Sequence, residues 1–486
     1  MSRKRSSRRQ FLKTTGSAAS LALVSGPLLE LLGGSLESLY AAPQYVRPNV
    51  KNLNANSKVI QSYKAGITAM QNLPTSSPLH WNNWANIHGA PSGSGPLWNT
   101  CQHGQWWFFP WHRMYVYWFE QIIRTLSKDA SFALPYWDYS DPTQRSLPSM
   151  FLTPTTNNVL YVQQRNPGVN AGNALPASAV TYTNAFTYTN FTSPTGSSAN
   201  FGSQMVNAPS HGTSPHGQLE STPHDSVHVS IGGWMGQVAL AARDPIFWLH
   251  HANIDRLWNL WLTQGGGRSD PTSYALWCNQ SFSFFNAGGV QVSQQVNAVL
   301  NASAQLNYSY EGEPPQVPQA CKPTVRATNV DKLEVARVTL LDMHAANTLA
   351  DKPVHVRIAA AQQKARLLTV AKDPKRRVSL RIEGIEVSSP VGVLYEVYVG
   401  LPANGAADFR SPHYVGNLAP FGAEMAHGEG FVAQFPIDAA VERALSAGDT
   451  LDVMFVPRGL VDRGGRDLPP APTGRVTFKE VRIIEE

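Results

Sequence analysis

Two groups of histidines, each set among aromatic residues, constrain this chain of 486 residues more than any other feature. The groups are His88, His103 and His112, and then His224, His228 and one of the pair His250–His251. Imidazole nitrogens bind copper, zinc, iron and nickel. Three protein ligands on each ion would leave coordination positions open for a small molecule. The pattern therefore predicts two metal ions that take part in chemistry, not a structural metal site.

The charge of the chain is concentrated in its first 42 residues. The formal net charge is +6, and residues 1–42 contain six basic and two acidic side chains. The remainder of the chain therefore has a net charge of only about +2. A near-neutral protein lacks the basic surface that binds nucleic acid or an anionic membrane. We expect neither as a partner.

The N-terminal segment has the pattern of an export signal. Residues 7–13 read SRRQFLK, and an apolar stretch follows at 18–32. Because this stretch is short and interrupted by glycine and proline, it does not predict a permanent membrane span. Twin-arginine signals of this kind are typical of bacterial export. We expect residues 1–42 to be such a signal and the mature protein to be periplasmic or secreted.

The chain contains three cysteines, an odd number for an exported protein. A disulfide bond between Cys278 and Cys321 would fit an oxidising compartment. That pairing leaves Cys101 unpaired, two residues before His103.

The region up to residue 325 is predicted to be mainly helical, with long loops. Cap and turn signals predict helices at 57–73, at a short segment ending at His88, at 106–123, from Thr222-Pro223 onward, and at 244–263. Residues 146–219 contain a single charged side chain, Arg165, and predict irregular loops. The histidines can hold metal only if the helices that carry them pack together. We therefore predict a four-helix bundle around the site.

The C-terminal region shows a different periodicity. Segments at 377–387, 393–402, 450–459 and 475–484 alternate apolar and polar residues and are separated by glycine, proline and aspartate turns. This pattern predicts an antiparallel β domain, most simply a sandwich. We therefore expect a catalytic domain at 43–325 and a β domain at 330–486.

Four motifs resemble the tyrosinase, catechol oxidase and polyphenol oxidase family of type-3 dicopper proteins. The motifs are HGQWWFFPWHR, FALPYWDY, GQLESTPHDSVH and RDPIFWLHHANIDRLW, within residues 78–266. The C-terminal strands resemble, more weakly, the β domain that follows the core in plant and fungal members. In those members this domain commonly covers the copper site.

The resemblance implies a ligand for every copper position. His88, His103 and His112 would bind copper A, and His224, His228 and His251 would bind copper B. Spacing alone leaves His250 and His251 as alternatives for the last position. The family pattern places that ligand four residues before an aspartate, Asp255 here, and therefore favours His251, with His250 packed beside it. His80, His211 and His216 are interpreted as structural residues.

The resemblance also assigns roles to residues near the coppers. Glu220 matches a glutamate that holds a water, which takes the proton from a phenol. Asp225 occupies a position linked to hydroxylase strength, where tyrosinases often have asparagine. Val238 replaces a phenylalanine that covers copper A in many plant members; this favours a more open pocket, with filling of the core as the alternative role. Cys101-Gln102-His103 resembles the Cys-x-His of fungal members, in which a thioether bond joins sulfur and imidazole.

The function implied is the oxidation of phenols and o-diphenols to o-quinones with O2 at two copper ions. Tyrosinase activity, which combines monophenol hydroxylation with diphenol oxidation, is favoured. The alternatives are a catechol or o-aminophenol oxidase without hydroxylase activity and, in another class, an O2 carrier similar to haemocyanin. The partners expected are a small phenol and O2, and a homo-oligomer stays open. A zinc hydrolase is disfavoured because no carboxylates lie among the histidines.

Overall fold

A computed structural model describes residues 43–155, 157–194, 196–325, 337–402, 404–426 and 430–486. The export signal predicted at 1–42 lies outside these ranges. Residues 45–486 form one compact unit. We call residues 43–325 the helical part and residues 337–486 the β part. Among the described residues, no helix is long and apolar enough to cross a membrane.

The helical part contains eleven α-helices among its described residues and four short strands. The helices are α1 Lys58–Gln71, α2 Trp81–His88, α3 Phe108–Leu126, α4 Pro167–Asn170, α5 Ala177–Val180, α6 Thr183–Thr187, α7 Ser226–Ile231, α8 Val238–Ala241, α9 Ile246–Thr263, α10 Ala275–Asn279 and α11 Ala302–Leu306. The strands are β1 Tyr45–Arg47, β2 Ser281–Phe285, β3 Gln291–Gln295 and β4 Tyr308–Tyr310. Strands β1 and β4 pair in parallel, and β2 and β3 form an antiparallel hairpin.

Helix α3 is the centre of the helical part. Every residue from Phe108 to Val116 is buried, which is typical of a helix enclosed on all sides. Helix α1 is amphipathic instead and turns Ile60, Tyr63 and Ile67 inward. The two helices come close at Gly66, where an added Cβ would lie 2.8 Å from Ile123 Cδ1. Residue 66 must therefore be small for α1 to lie against α3.

A buried ionic cluster ties the ends of the helical part to helix α9. Asp255 accepts hydrogen bonds from Arg113 Nε at 2.5 Å, Arg47 Nη1 at 3.3 Å, Tyr308 Oη at 2.6 Å and Tyr310 Oη at 2.5 Å. Removing one partner from such a buried cluster leaves an uncompensated charge, which costs roughly 3–5 kcal/mol. The cluster therefore fixes α9 against α3, β1 and β4.

The disulfide bond between Cys278 and Cys321 is present, as the sequence predicted. It joins α10 to the segment that follows β4. Cys101 is the free cysteine of the described residues and is buried.

The β part contains two four-stranded antiparallel sheets and two helices. Its elements are β5 Val338–Leu349, β6 Val354–Ala359, α12 Lys364–Ala371, β7 Val378–Val387, β8 Leu394–Val399, β9 Tyr414–Leu418, β10 Phe431–Pro436, α13 Asp438–Ala447, β11 Thr450–Arg458 and β12 Val476–Glu485. One sheet has the order β10-β7-β12-β5 and the other β6-β11-β8-β9. In register, Val481 of β12 lies opposite Ile382 of β7, and Val453 of β11 lies opposite Val399 of β8. Inward residues of both sheets belong to one hydrophobic cluster.

The β part packs directly on the helical part. Phe421 and Leu460 belong to the hydrophobic core of the helical part rather than to that of the sheets. Asn417 Nδ2 donates to the carbonyl oxygen of Ser178 at 2.8 Å. Strand β9 is thereby joined to helix α5, and Phe421, in the segment that follows β9, packs into the core of the helical part.

Candidate metal centre

Helices supply four of the six histidines, and turns supply the other two. His88 ends α2, His112 lies in the first turns of α3, His228 lies in α7, and His251 lies in α9. His103 precedes α3, after which Gly104 has a φ of +68° that an L side chain rarely adopts. The helices that carry these histidines begin and end close to the predicted positions.

His224 follows a kink at Thr222, and the helical backbone after that kink begins where Thr222-Pro223 predicted it. Thr222 is extended, with φ −148° and ψ 119°, and is the one non-helical residue within Glu220–Asp225. Pro223 comes next, at a position where a helix needs no N–H donor, and the chain continues into α7 at Ser226. The kinked segment places Glu220, His224 and Asp225 within 6 residues of sequence.

The six rings surround one space. Ring centroids are separated by 4.5 Å for His112 and His251, 4.6 Å for His224 and His228, 5.2 Å for His88 and His103, and 5.2 Å for His103 and His112. None of the six side chains is more than 3% exposed. The structure therefore brings both predicted groups together in one dry site.

Hydrogen bonds at Nδ1 orient four of the rings. His88, His112 and His228 donate from Nδ1 to the carbonyl oxygens of Val238, Phe108 and Met235 at 3.0, 2.8 and 2.7 Å. His224 donates from Nδ1 to Asp225 Oδ1 at 2.8 Å. Because Nδ1 carries the proton in each case, Nε2 is left with a free lone pair.

The Nε2 atoms of the six rings are suited to bind metal ions. In the described part of the chain they form no hydrogen bond with any group outside the six. Nε2 of His88, His103, His112 and His224 is buried without a hydrogen-bond partner. Nε2 of His228 and of His251 lie 3.4 Å apart and face each other. Buried polar atoms are almost always satisfied, so orphaned atoms that converge on one space indicate a missing partner. Two ions of the kind that imidazole binds would satisfy them.

Burial keeps these imidazoles neutral. It lowers the pKa of all six, and neighbouring histidines add to the effect for most of them. The pKa of His112 falls to about 3. A neutral ring is the form that binds metal, so the site stays competent to bind at mildly acidic pH.

His250 also lies in the centre, on the copper B side implied by the sequence. Its ring is 4.7 Å from that of His228 and 5.6 Å from that of Tyr139. Neither of its ring nitrogens has a hydrogen-bond partner among the described residues. Proximity therefore does not separate His250 from His251, and the choice of His251 as ligand continues to depend on the family pattern.

Glu220 is fully buried beside the histidines. Its carboxylate accepts from the backbone N–H of Gly104 at 2.8 and 3.0 Å and from Ser203 Oγ at 2.5 Å. Burial raises the pKa of Glu220 to about 7, with a further contribution from Asp225, while His216 opposes the shift. A carboxyl group in this range can hold or release a proton near neutral pH.

Asp225 accepts hydrogen bonds from two histidines, His224 and His216. Of these, the sequence indicated only His224 as a metal ligand. Its Oδ1 accepts from His224 Nδ1, and its Oδ2 accepts from His216 Nδ1 at 2.7 Å. Burial would lower the pKa of His216, but Glu220 and Asp225 outweigh it and raise that pKa to about 9. His216, interpreted from the sequence as a structural residue, is buried and has a hydrogen-bond partner at both ring nitrogens. Its distance from the ligand motif left no signal in the sequence.

Cys101 lies between two histidines. Its Sγ is 3.3 Å from His103 Nδ1 and 3.1 Å from His211 Nδ1. Burial raises the pKa of the Cys101 thiol, which keeps it protonated in this environment. His211, interpreted from sequence as structural, is thus a neighbour of the site through this sulfur.

A side chain of the β part covers the centre. The ring of Phe421 stacks on His228 with centroids 4.0 Å apart and planes inclined by 13°. It also lies 5.6 Å from the ring of His224 and 5.8 Å from that of His103. Phe421 itself is fully buried. The face of the histidine cluster that it contacts is therefore closed in this structure.

Val238 is buried, which fits the second of its two predicted roles, the filling of the core. Its side chain is 1% exposed, and its backbone N–H donates to Glu424 Oε1 of the β part at 2.8 Å. The space that a larger side chain would fill is covered by the segment that carries Phe421 and Glu424. The size of residue 238 could not reveal this, because the covering residues lie almost 200 positions later in the chain.

A cavity of about 310 Å³ remains beside the covered centre. It is lined by His103, Thr213 and His216 of the helical part and by Met425 and Phe431 of the β part. The cavity therefore runs along the contact between the two parts and reaches one of the six histidines.

Comparisons with known proteins agree with this geometry. A model described as the common central domain of tyrosinase matches residues 78–264, and a domain of unknown function matches residues 333–463. The tyrosinase HcTyr1 of Hahella sp. (strain CCB-MM4) is 30% identical over 423 residues, which cover 78% of this chain and 86% of that protein.

Plant proteins are also similar. The latent form of the chloroplastic polyphenol oxidase of Prunus armeniaca is 29% identical over 387 residues, 74% of this chain and 63% of that protein. The chain thus matches a little under two thirds of that relative. The structure of latent apple tyrosinase has a TM-score of 0.60 at 22% identity, with 92% of this chain and 98% of that one covered. At this identity the likeness shows the fold, a helical core with sheets.

Proposed function

Because this chain belongs to the tyrosinase family of type-3 copper proteins, we propose that it oxidises phenols and o-diphenols to o-quinones with O2. The chain is an enzyme, and its cofactor is a pair of copper ions. The observation that carries the proposal is the convergence of buried Nε2 atoms on one space. The two ions, when bound, supply the oxidation of the phenol by O2.

Each copper would take three of these nitrogen atoms. We assign His88, His103 and His112 to copper A, and His224, His228 and His251 to copper B. The hydrogen bonds at Nδ1 support the assignment for the four rings that they orient, because a fixed ring loses less entropy when it binds metal. His250 would pack beside copper B.

Monophenol hydroxylation needs a group that takes the phenolic proton. Glu220 is suited to this, since its pKa of about 7 lets it accept a proton near neutral pH. Gly104 and Ser203 fix the carboxylate, so a water bound there would be held in one place. We therefore favour tyrosinase activity over simple diphenol oxidation.

One observation favours the alternative, a catechol or o-aminophenol oxidase without hydroxylase activity. Both oxygens of Asp225 are engaged, one by His224 and one by His216. Asp225 is therefore held between two imidazole rings, and this fixed orientation limits its freedom to turn toward a water near the phenol. We accordingly assign it a positioning role rather than a direct role in proton transfer.

We propose that the β part is a lid. Phe421 occupies space above His228 that a phenol would need in order to reach copper B. The Glu424–Val238 hydrogen bond holds the same segment in place. Turnover would require this segment to move or to be removed. The hydrophobic cluster shared by both sheets supports the proposal that residues 330–486 form a β-sandwich domain. For residues 43–325 we propose a helical domain built as a four-helix bundle.

Two further proposals follow from the sequence. A thioether bond between Cys101 and His103 is compatible with the 3.3 Å between sulfur and ring nitrogen. Such a bond would fix the His103 ring and prevent the thiol from reducing copper. Residues 1–42 would direct export by the twin-arginine route, so that the enzyme is periplasmic or secreted.

Oxygen uptake tests the proposed activity. Copper-loaded protein is given 4-methylphenol or 4-methylcatechol, with the Phe421→Ala variant included so that a closed lid cannot hide activity. We expect both substrates to consume O2, the catechol faster. Uptake with the catechol alone would support the alternative oxidase, and no uptake by either copper-replete protein would contradict a phenol oxidase.

A further inference from the structure

His216 is a buried histidine outside the six that face the metal space. Its side chain is 6% exposed, and both ring nitrogens are hydrogen-bonded. Nδ1 contacts Asp225 Oδ2 at 2.7 Å, and Nε2 contacts the carbonyl oxygen of Thr213 at 3.1 Å. A carbonyl oxygen and an ionised carboxylate only accept, so with Asp225 ionised each nitrogen donates. The ring is then an imidazolium held by two acceptors.

This cation lies between two buried carboxylates. Asp225 is in direct contact, and Glu220 Oε1 is 3.8 Å from Nδ1. Without the cation, two carboxylates would share one apolar site, which disfavours the ionised form of both. His216 thus offsets the charge of the pair at the point where they face each other.

Asp225 connects His216 to His224, one of the six histidines that face the metal space. Its other oxygen, Oδ1, accepts from His224 Nδ1 at 2.8 Å. A continuous row of hydrogen bonds therefore runs from Thr213 through His216 and Asp225 to His224, and ends at the unpartnered Nε2 of His224. Carboxylates that hold the distal nitrogen of a ligand imidazole set its orientation and raise its basicity.

We propose that His216 is a positioning residue for copper B, which acts by clamping Asp225 so that Asp225 holds the His224 ring with Nε2 toward the metal. The proposal rests on the assignment of His224 as a copper ligand. His216 itself contacts neither the copper nor the phenol. Its contribution is to keep one ligand preorganised, and its loss should weaken the retention of one copper of the two.

Copper retention in a chelator titration tests the proposal without reference to activity. Wild type, His216→Gln, Asp225→Asn and the double variant are loaded with copper, and the copper left per chain is measured against increasing chelator. Loss of such a supporting partner typically weakens metal binding by about 10- to 100-fold. We expect a loss of that size at one of the two coppers in each single variant, and no larger loss in the double variant than in Asp225→Asn.

Non-additivity separates this role from general destabilisation, because residues that act through one another do not add their effects. His355 pairs with Asp452 at 3.5 Å on the surface of the β part, so His355→Gln is the matched control and should retain both coppers. Wild-type retention in His216→Gln, or losses that add in the double variant, would overturn the proposal. If His216→Gln yields too little folded protein, wild-type retention in Asp225→Asn overturns it alone. Failure of the wild-type protein itself to bind two coppers would instead contradict the proposed function.

Discussion

The ring of Phe421 lies flat on the ring of His228, with centroids 4.0 Å apart. These residues are 193 positions apart and belong to different parts of the molecule. A phenol that approaches copper B along this face would have to displace Phe421. The contact therefore links access to the copper centre to the position of the β part.

Replacement of Phe421 by alanine should increase access for bulky diphenols. A lid that is closed nine tenths of the time lowers the apparent affinity for substrate about tenfold. We therefore expect the KM of Phe421→Ala for a bulky catechol to fall by about that factor, with a smaller change for kcat. Steady-state kinetics of the full chain measures both.

Leu460→Ala is the control for this variant. Leu460 packs into the same core but is not among the residues that stack on the histidines. Its replacement should leave KM near the wild-type value. Equal effects of the two substitutions on KM would mean that general loosening of the β part increases access. The contact between Phe421 and His228 would then not control access.

Glu220→Gln should separate the two activities of a tyrosinase. Glutamine has the size of glutamate but cannot accept the phenolic proton, whereas a diphenol needs less assistance. We expect monophenol hydroxylation to fall by about 100-fold, the usual contribution of a general base, with a much smaller fall in diphenol oxidation. The ratio of the two rates, measured at pH 7, is the readout. A parallel fall in both would indicate that Glu220 only supports the fold.

Asp270 should make stability depend on pH. Burial raises the pKa of Asp270 to about 7, although its Oδ1 accepts a hydrogen bond from Trp258 Nε1 at 2.9 Å. Because the folded-state pKa is higher than the unfolded value of 3.8, the stability that the protonated form contributes is lost as pH rises from 3.8 to about 7. Above that range the folded protein contains a buried, incompletely paired carboxylate.

Asp270→Asn should therefore raise Tm at pH 8 and leave it unchanged near pH 4. Asparagine keeps an acceptor for Trp258 and cannot ionise, and a shift of about three pKa units corresponds to up to roughly 4 kcal/mol. Asp255 provides the contrast. Burial would raise its pKa, but Arg113 and Arg47 outweigh that effect and lower it, so Asp255→Asn should reduce Tm at pH 8. A gain for Asp270→Asn that is the same at both pH values would contradict the assignment.

The thioether proposal concerns Cys101 and His103. Oxidative coupling of the thiol to the ring would remove two protons and two electrons, with O2 as the oxidant. Mass spectrometry of copper-loaded, active protein should find the peptide that spans both residues two hydrogens lighter, with no release by reductant. If enzyme with full activity is then denatured and its Cys101 thiol reacts with an alkylating agent, the proposal is contradicted.

Local signals were sufficient to predict the helices that carry most of the candidate ligands. His88 ends a helix that is followed by Gly89, and Asp244-Pro245 precedes helix α9, so capping and proline signals place these histidines on helices. The disulfide between Cys278 and Cys321 agrees with the expectation from an oxidising compartment. The strands of the β part followed from their period of two.

The residues that surround the site could not be predicted from local signals, because tertiary contacts bring them there. His216 lies eight positions before His224, and no periodicity connects the two. Phe421 and Glu424 occur in a segment between strands whose sequence gives no indication of which loop it will contact. The exposure of Val238 likewise depends on a distant segment, which carries Glu424. Loop docking depends on the whole fold, which local patterns do not encode.

The copper content of the purified chain tests the central claim most directly. Wild-type protein loaded with copper should contain two ions per chain, while His112→Ala and His228→Ala should each retain less copper and lose activity in parallel, because each removes one of three ligands from an ion. His80→Ala is the matched control, since His80 caps helix α2 through Asn82 and does not face the centre. We predict two coppers in wild type and in His80→Ala and a loss in the other two variants. Full copper content and full activity in His112→Ala or His228→Ala would contradict the account.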